Sequence, residues 1–191
     1  MPGRGPAVVL DLPNWAGAYV ATHPVLADDD ARMRFVLGLA RENVERGTGG
    51  PFAAAVVVRA TGRVVSVGVN AVERLQCSVA HAEVIALALA EAQVGAYSLR
   101  AAGLPPHELV TTCQPCAMCL GAVGWSGVTR LVCAAARSDA VAIGFDEGLL
   151  PEAWERRFAE AGVEVVCGVL RDEARAVMER YVERGGTTYN G

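Results

Sequence analysis

One histidine and two cysteines carry the strongest chemical signal in the chain. His81 stands in His81-Ala82-Glu83, and Cys116 and Cys119 stand in Pro115-Cys116-Ala117-Met118-Cys119. One nitrogen and two sulfurs suit a tetrahedral Zn2+. A structural zinc takes four protein ligands. This set offers three and leaves the fourth position to water or hydroxide, the pattern of a catalytic zinc with one ion per subunit. Zinc brings the pKa of such a water toward about 7. Glu83, two residues past the histidine, stands near the metal without binding it. Its carboxylate can accept the proton of the water and hand it on. Cys116 and Cys119 are three apart, so they share one face of a helix. Pro115 suits the first turn of that helix, and the positive end of the helix dipole favours thiolate over thiol.

Each of these residues has a plain structural reading on its own: His81 as a polar helix start, the cysteines as small core residues. Glu83 and Pro115 at the matching places tip the balance toward metal. An iron–sulfur segment over Cys113, Cys116 and Cys119 would need a fourth cysteine after three more residues, and position 123 is Val. Cys77, Cys113, Cys133 and Cys167 are expected to be non-ligands, with a zinc set that includes Cys77 left as the alternative.

The elements that must position these residues can be read from pattern. Asp28-Asp29-Asp30 starts a helix running to about Arg46, with Val36, Leu39, Ala40 and Val44 on one face. Gly47 to Pro51 ends it. Residues 53–59 and 64–69 read as a hairpin turning at Thr61-Gly62-Arg63. Residues 71–80 read as a loop that delivers His81 to a helix over 81–94, apolar on nearly all sides and therefore buried. A loop at 95–107 precedes a third strand at 109–112, and a helix runs from Cys116 through Trp125 to Gly127. A fourth strand spans 129–134. Helical stretches follow at 138–144 and 152–161, with an exposed-looking Phe145-Asp146-Glu147-Gly148 between them. A fifth strand spans 163–167, and the last helix spans 171–184. The long connection between strands four and five permits a parallel crossover. The sum is a three-layer α/β/α sandwich with a five-stranded mixed sheet and helices on both faces. Residues 28–184 form the domain, 1–27 pack on it as an N-terminal extension, and 185–191 form a C-terminal tail.

With 191 residues, 52% hydrophobic and 20% charged, the chain suits one globular domain. Its net charge is −4 and every basic residue is arginine, without a basic stripe, so nucleic acid is not an expected partner. No stretch has the apolar length of a membrane span, and the Pro/Gly-rich start does not read as a secretory signal. Six cysteines in a core-rich chain do not read as a disulfide scaffold. A reducing cytoplasm is the expected location.

The pairing of H-x-E with P-C-x-x-C resembles the zinc-dependent nucleobase deaminases of the cytidine deaminase superfamily. Five segments narrow the resemblance: Gly50-Pro51-Phe52-Ala53, Ala80-His81-Ala82-Glu83-Val84, Met118-Cys119-Leu120-Gly121-Ala122, Trp125-Ser126-Gly127 and Ala142-Ile143-Gly144-Phe145-Asp146-Glu147. Together these look like the bacterial guanine deaminases over roughly residues 30–191. The resemblance implies a hydrolytic deaminase that converts guanine to xanthine and ammonia, with Glu83 shuttling protons to a ring nitrogen and then to the departing amine. It also implies roles residue by residue. Phe52 and His81 would sandwich the flat base, Asn70 would read an edge of it, and Ala82 and Trp125 would join the substrate pocket. Glu147 would be a second acid acting on the leaving amine. Tyr189 in the tail would fold across an active site, in this family often that of the other subunit of a homodimer. Ammeline or another s-triazine, cytosine, or a nucleoside is the alternative substrate, and tRNA adenosine a more distant one. Members usually carry Glu where this chain has Gln114, which changes the charge beside the metal ligands.

Overall fold

A computed structural model describes residues 8–23, 25–146 and 148–188. The chain runs through α1 (Ala16–Ala21), α2 (Asp29–Glu45), β1 (Ala53–Val58), β2 (Val64–Val69), α3 (Val72–Leu75) and α4 (Ala82–Val94). It continues through β3 (His107–Cys113), α5 (Ala117–Ser126), β4 (Arg130–Ala135), α6 (Arg137–Ala142), α7 (Trp154–Glu160), β5 (Glu164–Val166) and α8 (Arg171–Glu183). The strands form one sheet in the order β2-β1-β3-β4-β5. β1 pairs antiparallel with β2 and β3, while β3–β4 and β4–β5 are parallel. The expected mixed sheet, its hairpin and its crossover are all present.

Side-chain alternation along the strands feeds two cores. Ala53, Ala55, Val57, Val110, Val132 and Ala134 face α2 and α8. Ala54, Val56, Leu109, Leu131 and Cys133 face α4, α5 and α7. Small residues on β1 let both helical layers lie close to the sheet. The closest approach is at Gly68 of β2, where a Cβ would collide with the carbonyl of Ala82 and the backbone of Ala86. Only glycine lets the first turn of α4 rest there.

The register places a charged row across one sheet end. Glu108, Arg130 and Glu164 are direct neighbours on β3, β4 and β5. Glu108 is fully buried. Arg32 Nη1 of α2 lies 2.8 Å from one of its oxygens, and Arg130 Nη1 lies 3.0 Å from the other. Arg130 also makes a two-pronged contact with Asp29 at 2.7 Å and reaches Glu164 at 3.0 Å. The cluster ties the start of α2 to the start of three strands.

Several expectations need correction. The 71–80 stretch contains the single turn of α3, begun where Asn70 Oδ1 accepts from Val72 N–H at 3.4 Å and ended by Gln76 in left-handed backbone. β3 starts at His107, earlier than expected, because His107 and Glu108 are polar yet buried. α4 is half-buried at Val84, Ala88 and Leu89 and exposed at Ala92, so its apolar perimeter is not wholly covered. Phe145 is buried, packing edge-on against Phe52 with centroids 5.0 Å apart and stacking on Tyr181. In the N-terminal segment α1 forms and Tyr19 donates to the Phe35 carbonyl, its ring in mutual contact with those of His23 and Phe35.

Two outcomes test the charged row. Glu108→Ala leaves buried guanidinium without its shared carboxylate, and the loss of stability in urea unfolding should be about 3–5 kcal/mol. Arg130 hydrogen bonds hold Asp29 and Glu164 below the usual carboxylate range. A depressed folded-state pKa contributes stability above the unfolded value and loses it as pH falls through the folded value. The melting temperature should therefore drop on acidification below roughly pH 4, and Arg130→Gln should flatten that acid limb.

Candidate active site

The catalytic signal in the sequence rests on two helix starts meeting. His81 is the N-cap of α4 and Cys116 the N-cap of α5, both in extended backbone, and neither side chain caps its own helix. Each is thereby free to point away from its helix. His81 Nδ1 lies 3.6 Å from Cys116 Sγ and 3.6 Å from Cys119 Sγ. All three donor atoms lie within 4.8 Å of one another. With zinc–sulfur bonds near 2.3 Å and zinc–nitrogen bonds near 2.05 Å, a tetrahedral ion sets nitrogen and sulfur about 3.5 Å apart. The donor set fits zinc without rearrangement. Cys77 is outside this group, which settles the alternative zinc set among the described residues.

The two thiols and the His81 ring are in hydrogen-bond contact with one another. Cys116 is pushed down to about 4, chiefly because Cys119 donates to its sulfur and His81 does the same, against the cost of burial. Cys119 is correspondingly pushed up by its bond to Cys116 and by burial. A thiol pulled down in this way favours the thiolate form that binds a cation.

Glu83 is buried on the first turn of α4. Its Oε1 accepts from Thr111 Oγ1 at 3.3 Å, and its Oε2 lies 3.5 Å from Cys119 Sγ. Burial pushes its carboxyl above the ordinary range, and the charge of Cys116 adds to this while His81 opposes it. A carboxyl so placed can both take and give a proton.

These groups open onto a cavity of roughly 320 Å3. Phe52, Asn70, His81, Glu83 and Cys116 line it, together with Ser78, Cys113, Gln114, Met118, Phe145 and Asp146, which the sequence did not assign to it. That volume falls at the small end of ligand pockets, about 300–1,000 Å3. The cavity sits at the sheet end opposite the charged row: Phe52 leads into β1, Asn70 follows β2 and Gln114 follows β3. Ligands favour the carboxyl ends of parallel strands for this reason, since loops there converge.

Asn43 is a further residue missed by pattern. It is fully buried in α2, and its Nδ2 donates to the carbonyls of Gly50 and Asn70 at 2.9 Å each. Its Oδ1 accepts from Thr48 Oγ1 at 2.7 Å. Asn43 thus holds both backbone stretches that carry Phe52 and Asn70. A polar residue on an apolar helix face was the only available signal. Arg137 closes another side: its Nη2 donates to Gly148 O at 2.6 Å, and its backbone N–H donates to Gln114 Oε1 at 3.0 Å.

Two expected pocket residues fall elsewhere. Trp125 does not line this cavity. It is 86% exposed on the outer face of α5, beside Trp154 and Phe158, because a helix rotation of 100° per residue carries it away from Cys116 and Cys119. Ala82 is fully buried under β2 rather than facing the cavity. Glu147 and Tyr189 lie outside the described residues. Their neighbours are placed: Gly148 N–H donates to Asp146 Oδ1 at 2.8 Å. Tyr181 Oη donates to the Thr187 carbonyl at 2.8 Å, and Thr188 lies beside Gly144.

Comparison with known proteins agrees with this site. The family model of the cytidine and deoxycytidylate deaminase zinc-binding region matches residues 26–135. A guanine deaminase structure from Nitrosomonas europaea is 46% identical, with a TM-score of 0.89, over 94% of this chain and 98% of that one. A variant of the protein NE0047 in complex with 8-azaguanine is 47% identical, with a TM-score of 0.88, over 92% of this chain and 97% of that one. The guanine deaminase of Bacillus subtilis is 39% identical over 118 residues, which is 62% of this chain and 71% of that protein.

The metal reading has a direct check. Zinc measured by atomic absorption after exhaustive dialysis should approach one per chain, and Cys119→Ala should reduce it to background while Cys77→Ala leaves it unchanged.

Proposed function

We propose that this chain, which belongs to the zinc-binding family of cytidine and deoxycytidylate deaminases, converts guanine and water to xanthine and ammonia. It is a hydrolytic deaminase of cyclic amidines. One observation supports the substrate most: a single small cavity brings the metal donors and Glu83 together with an aromatic ring, Phe52, and a buried amide, Asn70. A flat base with a donor/acceptor edge matches that lining. The relative bound to 8-azaguanine holds a base of this shape.

His81, Cys116 and Cys119 would hold the zinc. When bound, it supplies a Lewis acid that makes a water acidic enough to ionise near neutral pH. The protein does the rest. Glu83 takes the proton of the attacking water and delivers it to a ring nitrogen as the carbon becomes tetrahedral. It then carries a proton to the exocyclic nitrogen, so that ammonia departs and the carbonyl forms. Thr111 fixes the rotamer of Glu83 from the sheet. Phe52, backed by Phe145, and the His81 ring hold the base flat, while the Asn70 amide reads its edge. Glu147 is included as a second acid at the leaving amine, and Tyr189 as a cover from the tail, only on the family resemblance.

The same reading has one domain at 28–184, with 1–27 packed on it and 185–191 as the tail. It also has a cytoplasmic homodimer in which the tail can exchange between subunits. The exposed Trp125 beside half-buried Phe158 gives the dimer an apolar face to use. Among the described residues no helix is long and apolar enough to cross a membrane.

Ammonia release by the zinc-loaded protein should be fastest with guanine in a panel of guanosine, ammeline, cytosine, adenine and tRNA. Turnover confined to tRNA would overturn the assignment. Glu83→Gln should keep its zinc and lose about 10²–10⁴-fold in kcat.

A further inference from the structure

Behind Gln114 lies a thiol pair that the deaminase reaction does not use. Val132 and Val166 are partners across β4 and β5. Cys133 follows Val132 on β4, and Cys167 is the first residue past the end of β5. Val169 N–H donates to the Cys133 carbonyl at 3.2 Å, which keeps the chain past Cys167 folded against β4. Adjacent strands run about 4.7–4.9 Å apart. At the Val132–Val166 pair, one residue before the two cysteines, that spacing is inside the about 4.4–6.8 Å of Cα separation that a disulfide spans.

The two sulfurs differ in setting. Cys133 is fully buried and Cys167 is exposed. Cys133 donates to the Cys167 sulfur, and Gln114 Nε2 donates to it as well, at 3.5 Å. The Cys133 bond first, and the Gln114 bond after it, bring Cys167 down to about 6, while burial and the Glu155 carboxylate oppose them. A carboxylate at position 114 could not donate in this way. An exposed, hydrogen-bonded thiolate beside a buried thiol is the arrangement of an oxidisable site with its own resolving partner.

We propose that Cys167 and Cys133 form an oxidation site for hydroperoxides. The Cys167 thiolate attacks the terminal oxygen, so the S–O bond forms and the O–O bond breaks. The sulfur is oxidised to a sulfenic acid by two electrons, and the peroxide leaves as water or alcohol after taking a proton from solvent. Cys133 then attacks that sulfur. The S–S bond forms, the S–O bond breaks, and water leaves with the Cys133 proton. Gln114 lines the active-site cavity, so loss of the thiolate acceptor is felt at the substrate wall.

The test uses zinc-loaded protein treated with hydrogen peroxide and read by intact mass and peptide mapping. The expected result is loss of two hydrogens, a Cys133–Cys167 linked peptide with zinc retained, and full reversal by a thiol reductant. Cys167→Ser should abolish the link. Cys133→Ala, or Cys133→Ser should the first fold poorly, should leave a sulfenic acid on Cys167 that dimedone traps. Gln114→Glu should slow the reaction several-fold. Oxidation of Cys116 and Cys119 with zinc release while Cys167 stays reduced would overturn the proposal. So would a link from Cys167 to Cys113 or Cys77, or no change in mass.

Discussion

The site depends on how closely the first turn of α4 can lie on the sheet. Gly68 gives the Ala82 carbonyl a place where any side chain would block it. That contact fixes the height of His81 and Glu83 above β2. α5 starts where β3 ends, so the sulfurs of Cys116 and Cys119 arrive at the same level. Had the helix stood off by the width of a methyl group, the nitrogen and sulfurs would not meet at bonding distance of one ion. The metal centre is therefore a product of sheet packing as much as of ligand type.

The two ends of the sheet do different work. At one end Glu108, Glu164 and Asp29 are neutralised by Arg130, Arg32 and Arg59, and the cluster pins α2 to the strand starts. At the other end polar groups are kept for chemistry. Asn43 of α2 links the two, because the helix pinned by the charged row holds the Asn70 backbone at its far end. Phe52, Phe145 and Tyr181 form a run of rings from the cavity wall to α8, close to the described part of the tail. The packing of the cavity wall is thus shared by three elements distant in sequence.

Buried polar groups explain where sequence patterns stop being informative. His107 and Glu108 look like loop residues, yet they are strand residues because Leu99 O and two arginines satisfy them. Phe145 sits among Gly, Asp and Glu and looks exposed, yet two aromatic rings cover it. Trp125 looks like a pocket residue by its place in a motif, yet the turn of the helix sends it outward. In each case the deciding partner comes from another part of the chain.

The sequence by itself determined the donor set, the acid beside it and the succession of the five strands and the longer helices. Those depend on residue type, short spacing and local periodicity, all of which are written along the chain. It also carried the resemblance to guanine deaminases through contiguous motifs. Tertiary structure alone decided that Cys77 stays out of the metal group, that Ala82 faces the sheet, and that Asn43 and Phe145 support the cavity. It alone set Gln114 between the active-site wall and Cys167. Those outcomes depend on strand register and on which side chain meets which across the fold, and neither is encoded in any one segment.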